Sequence, residues 1–102
     1  MSNLAVNTLI NNDEEIHKAA ELLKVLSHPI RLKIICQLGH AEKTVQQLID
    51  SVGSTQSNVS QHLAIMRNNK VLQYRKNATQ VLYSVSEKAA IDFVQLLKKI
   101  YC

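Results

Sequence analysis

Residues 54–85 read STQSNVSQHLAIMRNNKVLQYRKNATQVLYSV, and a change of rhythm inside this stretch decides the fold. Its first half has helical spacing: Ser54 or Thr55 supplies an N-cap, and Val59, Leu63 and Met66 recur at intervals that place them on one helix face. Ser57, Ser60, Gln61 and Ala64 fall on the opposite face as a polar stripe of short side chains. From Val71 onward the residues turn β-branched and aromatic, broken only by Asn77-Ala78-Thr79, so residues 71–85 predict a two-stranded hairpin.

Reading outward from there, Val45, Leu48, Ile49 and Val52 give a short amphipathic helix opened by Thr44 and ended by Gly53. Two short helices joined by a glycine-containing turn are a helix-turn-helix candidate, and the hairpin that follows makes a wing. A polar link separates this unit from an earlier helix bearing Ile30, Leu32, Ile34, Ile35 and Leu38, with Ser27 as its expected N-cap, Pro29 in its first turn and Gly39 at its end. Being apolar on more than one face, that helix is expected at the centre. Before it, Ile16, Ala19, Ala20, Leu23 and Leu26 predict an amphipathic first helix, with Asp13, Glu14 and Glu15 in its first turn and Asn11 or Asn12 as cap.

After the hairpin, Ser86 is expected to cap a last helix over residues 87–101. Its Ala89, Ala90, Ile91, Phe93, Val94, Leu96, Leu97, Ile100 and Tyr101 are more apolar surface than one face can hide. The excess predicts a homodimer formed through the last helix with help from the first. The expected architecture is therefore mainly α with a small β-hairpin, in the order α-α-α-α-β-β-α. Residues 1–12 are read as a flexible tail and residues 13–102 as one DNA-binding and dimerisation domain.

Composition narrows the function. A chain of 102 residues, 46% hydrophobic and 20% charged, is one ordinary globular domain without room for a core and a deep substrate cavity. Aromatic content of 4% and the absence of Trp argue against a stacking platform for single strands. No apolar run approaches the length of a membrane span, and MSNLAVNTLINN lacks the basic and apolar segments of a secretory signal, so a cytoplasmic location is expected. Charge is unevenly spread: residues 54–86 contain Arg67, Lys70, Arg75 and Lys76 and no carboxylate, whereas residues 1–53 carry a net −1. An acid-free basic stretch suits a polyanion.

These features converge on double-stranded DNA. Short side chains let the helix approach a major groove, where Ser57, Asn58, Ser60 and Gln61 can hydrogen-bond base edges or phosphates. Arg67, one turn on, and Arg75 with Lys76 on the hairpin would contact phosphates. The competing explanation is a solvated helix face beside an ordinary exposed hairpin.

SNVSQHLAIMRNNKVLQYRKNATQVLYSV resembles the recognition helix and wing of the ArsR/SmtB family of winged-helix repressors, and LLKVLSHPIRLKIICQL resembles that family's first-to-second helix junction. The resemblance covers roughly residues 15–101. It implies a dimeric repressor, not an enzyme, that binds an operator palindrome and is released by an inducer. It also implies groove-facing roles for Gln56, Ser57, Asn58, Ser60, Gln61 and His62, and wing contacts for Arg75 and Lys76. Two departures bear on wing geometry. Lys70 stands where a glycine usually follows the recognition helix, which would pass the left-handed conformation to Asn69, and Asn77-Ala78 stands where the wing tip usually has glycine.

The inducer class depends on which sensor residues the chain carries. TVQQLIDSV lacks the cysteines of the family's arsenic and cadmium sensors, and Asp92 lacks the His partner of its zinc-type sensors. Asp13 and His17 have helical ligand spacing but are two ligands short of a closed zinc site. His62, flanking the core face, is more often a hydrogen-bonded structural histidine than a ligand. No metal and no cofactor is therefore expected. Cys36 and Cys102 do not form a CxxC pair, which disfavours a thioredoxin-type enzyme. Taken singly, Cys36 reads as a small hydrophobe and Cys102 as an exposed terminal residue. LKIICQL and LLKKIYC, however, resemble the cysteine segments of the sulfur- and redox-responsive dithiol branch of the family. That resemblance implies coupling of Cys36 and Cys102 by reactive sulfur species or oxidants, with loss of repression. The alternative is a metal-responsive repressor or an antirepressor without thiol sensing.

Overall fold

Helix boundaries follow the capping chemistry of the sequence. The structure, a computed structural model, describes residues 12–102. In chain order they form α1 (Asp13–Leu26), α2 (Pro29–Leu38), β1 (Lys43–Thr44), α3 (Val45–Val52), α4 (Gln56–Asn68), β2 (Leu72–Asn77), β3 (Gln80–Val85) and α5 (Lys88–Tyr101). Asn12 caps α1, its side chain accepting from Glu14 N at 2.8 Å and Glu15 N at 3.3 Å. Asn12 is thus part of the domain. The rest of the expected tail, Asn11 included, lies outside the described residues.

Two expected caps are corrected. Pro29 occupies the first turn of α2, so the residue before it is the N-cap: His28 Nδ1 accepts from Ile30 N at 3.1 Å. Ser27 instead donates its hydroxyl back to the Lys24 carbonyl at 2.9 Å. At α5 the cap is Glu87, which accepts from Ala89 N at 3.3 Å. Ser86 ties the start of α5 to the end of α4, its amide donating to the Val71 carbonyl and its hydroxyl to that of Lys70.

The end of α4 also differs from expectation. Lys70, not Asn69, takes the left-handed conformation, with φ of 62° against −92°. Lys70 N donates to Arg67 O and Val71 N to Met66 O, the paired bonds of a Schellman closure, with Val71 and Met66 both buried. The closure requires a positive φ at the residue after the cap, and the lysine accepts it.

The wing is larger than a hairpin. β2 and β3 pair antiparallel from Leu72↔Val85 to Asn77↔Gln80, and β1 adds a third strand against β3 through Lys43↔Tyr83 and Thr44↔Leu82. Part of the expected polar link is therefore strand, and the sheet order is β1-β3-β2. Thr44 then caps α3 with a full capping box: its hydroxyl accepts from Gln47 N, and the Gln47 side chain accepts from Thr44 N. One residue thus fastens the helix-turn-helix to the wing.

The core gathers around α2, as its two-sided apolar pattern predicts. Ile34, Ile35 and Leu38 are buried there with Leu26, Leu48, Val59, Leu63 and Met66. Burying each such side chain contributes about 1.5–3 kcal/mol. α1 departs from its predicted stripe. It buries only Val25 and Leu26, at its last turn, and leaves Ile16 and Leu23 about half exposed, at 46% and 45%. On α5, Ala90 and Ile91 are buried whereas Leu96, Ile100 and Tyr101 are 54%, 62% and 81% exposed. The apolar excess read from α5 is real and lies open.

Candidate functional site

The turn between α3 and α4 sets the direction of the second helix. Gly53 has φ of 77° and ψ of 39°, a left-handed conformation that closes α3 through its amide bond to the Ile49 carbonyl. Thr55 Oγ1 then accepts from Asn58 N at 3.1 Å and starts α4, while Asn58 Nδ2 donates to Ser54 Oγ at 2.8 Å. With Val59, Leu63 and Met66 buried, the other face of α4 is presented outward: Gln56, Ser57, Ser60 and Gln61 are exposed and Asn58 and Ala64 half-buried. This is an uncharged polar surface with hydrogen-bonding groups and no bulky apolar side chain. Its open N-terminal turn carries unsatisfied amides that favour anions.

His62 does not belong to that surface. Expected on the groove face, it is 8% exposed. Its Nδ1 accepts from Arg31 Nε at 3.1 Å, and its ring lies 4.2 Å from that of His28. Arg31 also donates to the Val25 carbonyl at 3.0 Å, so one guanidinium joins the end of α1 to the back of α4. Burial, then the neighbouring His28 and Arg31, hold the His62 imidazole below its ordinary pKa. Reading His62 as a hydrogen-bonded structural histidine fits this placement.

The basic residues are not equivalent. The Arg67 guanidinium sits 5.3 Å from the centre of the Tyr74 ring, a cation–π contact between α4 and the wing. Arg75 forms a two-pronged ion pair with Glu42, Nε to Oε2 at 2.6 Å and Nη2 to Oε1 at 2.8 Å. The Arg75 hydrogen bond holds the Glu42 carboxyl below its usual pKa. Lys76 is exposed beside it. Glu42 is the site residue that sequence reading missed. It lies 33 positions before Arg75, outside the acid-free stretch, and only the pairing of β1 with β3 brings it to the wing.

Cys36 and Cys102 are free and exposed, and both line one cavity of about 510 Å³ between α2 and α5. Leu32, Ile35, Val94 and Leu97 give it aliphatic walls. Among the described residues no group of three or more His, Cys, Asp or Glu side chains is placed to hold a metal ion, and no helix is long and apolar enough to cross a membrane.

Comparison with known proteins agrees with this geometry. Residues 28–73, from the cap of α2 into β2, match the model of the bacterial regulatory protein arsR family. The biofilm growth-associated repressor of Xylella fastidiosa strain Temecula1 is 34% identical over 90 residues, covering 88% of this chain and 79% of that protein. The crystal structure of the transcriptional repressor BigR from Xylella fastidiosa superposes with a TM-score of 0.83 at 34% identity, over 88% of this chain and 92% of that one. Reduced HlyU from Vibrio cholerae N16961 gives a TM-score of 0.81 at 34% identity, over 88% and 95%. The match runs from α1 through the wing to α5, across the helices that position the outward face of α4, and on it the chain belongs to the ArsR family of bacterial transcriptional regulators, with a winged-helix fold.

Proposed function

We propose that this protein is a homodimeric repressor that binds double-stranded operator DNA and is released when Cys36 and Cys102 are coupled by reactive sulfur species or oxidants. Gln56, Ser57, Asn58, Ser60 and Gln61 read the major groove, and Arg67, Arg75 and Lys76 contact phosphates. The dimer closes over the apolar surface left open on α5 and α1: Leu96, Ile100 and Tyr101 with Ile16 and Leu23. The observation that carries the switch is the placement of both thiols on one cavity between the central helix and the dimer helix. The relatives named repressors, and one whose structure is described as its reduced form, support the reading.

Coupling is chemically complete with an organic persulfide. Two thiols and one RSSH give the protein disulfide, RSH and H2S, the persulfide accepting both electrons. A bridge across 66 residues would stabilise the folded chain against unfolding by roughly 4 kcal/mol in the chain-entropy model. The test is peptide mapping of protein treated with persulfide, alongside binding of the reduced protein to DNA selected from a random pool. The reading expects a cross-linked peptide containing Cys36 and Cys102, and a loss of about 1–3 kcal/mol in DNA affinity for Gln61→Ala. Thiols that modify singly without cross-linking would contradict the switch, and Gln61→Ala binding as wild type would contradict the assigned groove face.

A further inference from the structure

The cavity that both thiols line has a chemistry of its own. It is a half-open groove of about 510 Å³, and most of the surface it offers is apolar. Leu32, Ile35, Ile91, Val94 and Leu97 form its apolar walls, with His40, Gln95 and Lys98 at its polar edge. A sulfide anion or a zwitterionic persulfide gains nothing from such walls and loses water on entering. An uncharged hydrocarbon group gains by every methylene it buries there.

Resting on the thiol-switch reading, we infer that this cavity binds the organic group of the inducer, and that the inducer is a persulfide whose R group is apolar and uncharged. The apolar group occupies the space between α2 and α5 and carries its sulfane sulfur to the thiols at the cavity wall. One thiolate takes the outer sulfur to give Cys–S–SH and RSH. The second thiol displaces that sulfur as H2S and closes the disulfide. The atoms balance as two protein thiols plus RSSH giving one disulfide, RSH and H2S. The departing RSH keeps the apolar group, so the cavity selects the reagent and the bridge excludes it afterward.

The experiment compares 2-phenylethyl persulfide with glutathione persulfide on reduced full-length protein. Each rate of bridge formation is divided by the rate of the same reagent with N-acetylcysteine, which removes intrinsic reactivity. The expected result is a preference of about tenfold or more for the phenylethyl reagent, the discrimination one apolar pocket supplies. Val94→Phe, which fills the space between the helices, is expected to lower the phenylethyl rate far more than the glutathione rate and so abolish that preference. A second measurement does not depend on the variant folding. The unreactive 2-phenylethyl methyl sulfide should slow alkylation of Cys36 by iodoacetamide in wild type, and 2-methoxyethanol should not. Equal normalised rates, or alkylation that the sulfide leaves untouched, would overturn the inference. If both persulfides bridge the thiols equally and DNA is still released, the cavity assignment fails and the switch stands. If neither bridges them, the switch fails, and the alkylation result alone decides whether the cavity binds apolar groups.

Discussion

The lone pair on His62 Nδ1 holds the Arg31 Nε–H, so this contact between α2 and α4 exists only while the imidazole is neutral. With its folded pKa below the ordinary value near 6.5, the unfolded chain takes up the proton first. The contribution is therefore complete above about pH 6.5 and is lost as pH falls from there through the folded value. Denaturant midpoints at pH 7.5 and 5.5 should show a drop on acidification that His62→Gln, which keeps an acceptor for Arg31, reduces. Glu42 has the same sign at lower pH: its depressed pKa gives a contribution present above its unfolded value and lost on acidification. In the free protein Glu42 also occupies the guanidinium that would contact phosphate. Glu42→Gln should raise DNA affinity severalfold while Arg75→Ala lowers it, and an equal loss in both would mean that the pair only braces the wing. At the wing tip Ala78 has φ of 57°, a conformation that costs a non-glycine residue roughly 1 kcal/mol. Ala78→Gly should gain up to about 1 kcal/mol in a thermal melt.

At the scale of elements, spacing and caps made most of the molecule legible. Val59, Leu63 and Met66 set the buried face of α4, and Gly39 and Gly53 mark ends that require positive φ. What spacing could not supply was pairing at a distance. β1 is two residues long, too short to show alternation, and it becomes a strand only because β3 offers Tyr83 and Leu82. Glu42 was invisible for the same reason. The cap errors were local, arising where two adjacent residues both had capping side chains and backbone geometry chose between them. The stripe on α1 was legible as apolar but not as open, because periodicity records which residues share a face and not what covers it. Thr44 serves both β1 and α3, so Thr44→Ala should cost about 1 kcal/mol in chemical denaturation, in the usual range for a missing cap. A smaller effect would mean that Gln47 alone holds the junction.

For the whole molecule, the open apolar face and the outward polar face of α4 have different owners in this account, the partner subunit and the operator. DNA binding should weaken with salt at a slope of about 0.9 per phosphate neutralised. Lys76→Ala should reduce that slope by about two in a dimer, because each subunit then neutralises one phosphate fewer. Moving α5 against α2 would change the distance between the paired recognition helices, which must match half-sites about 34 Å apart. The central claim is that joining Cys36 to Cys102 makes that match fail. Its most direct test is the operator affinity of the reduced protein before and after persulfide treatment, in wild type, Cys36→Ser and Cys102→Ser, with intact mass read on the same samples. Loss of binding is expected in wild type alone, accompanied by the mass change of one intrachain bridge. Wild type that acquires the bridge and still binds, or serine variants that lose binding equally, would contradict it.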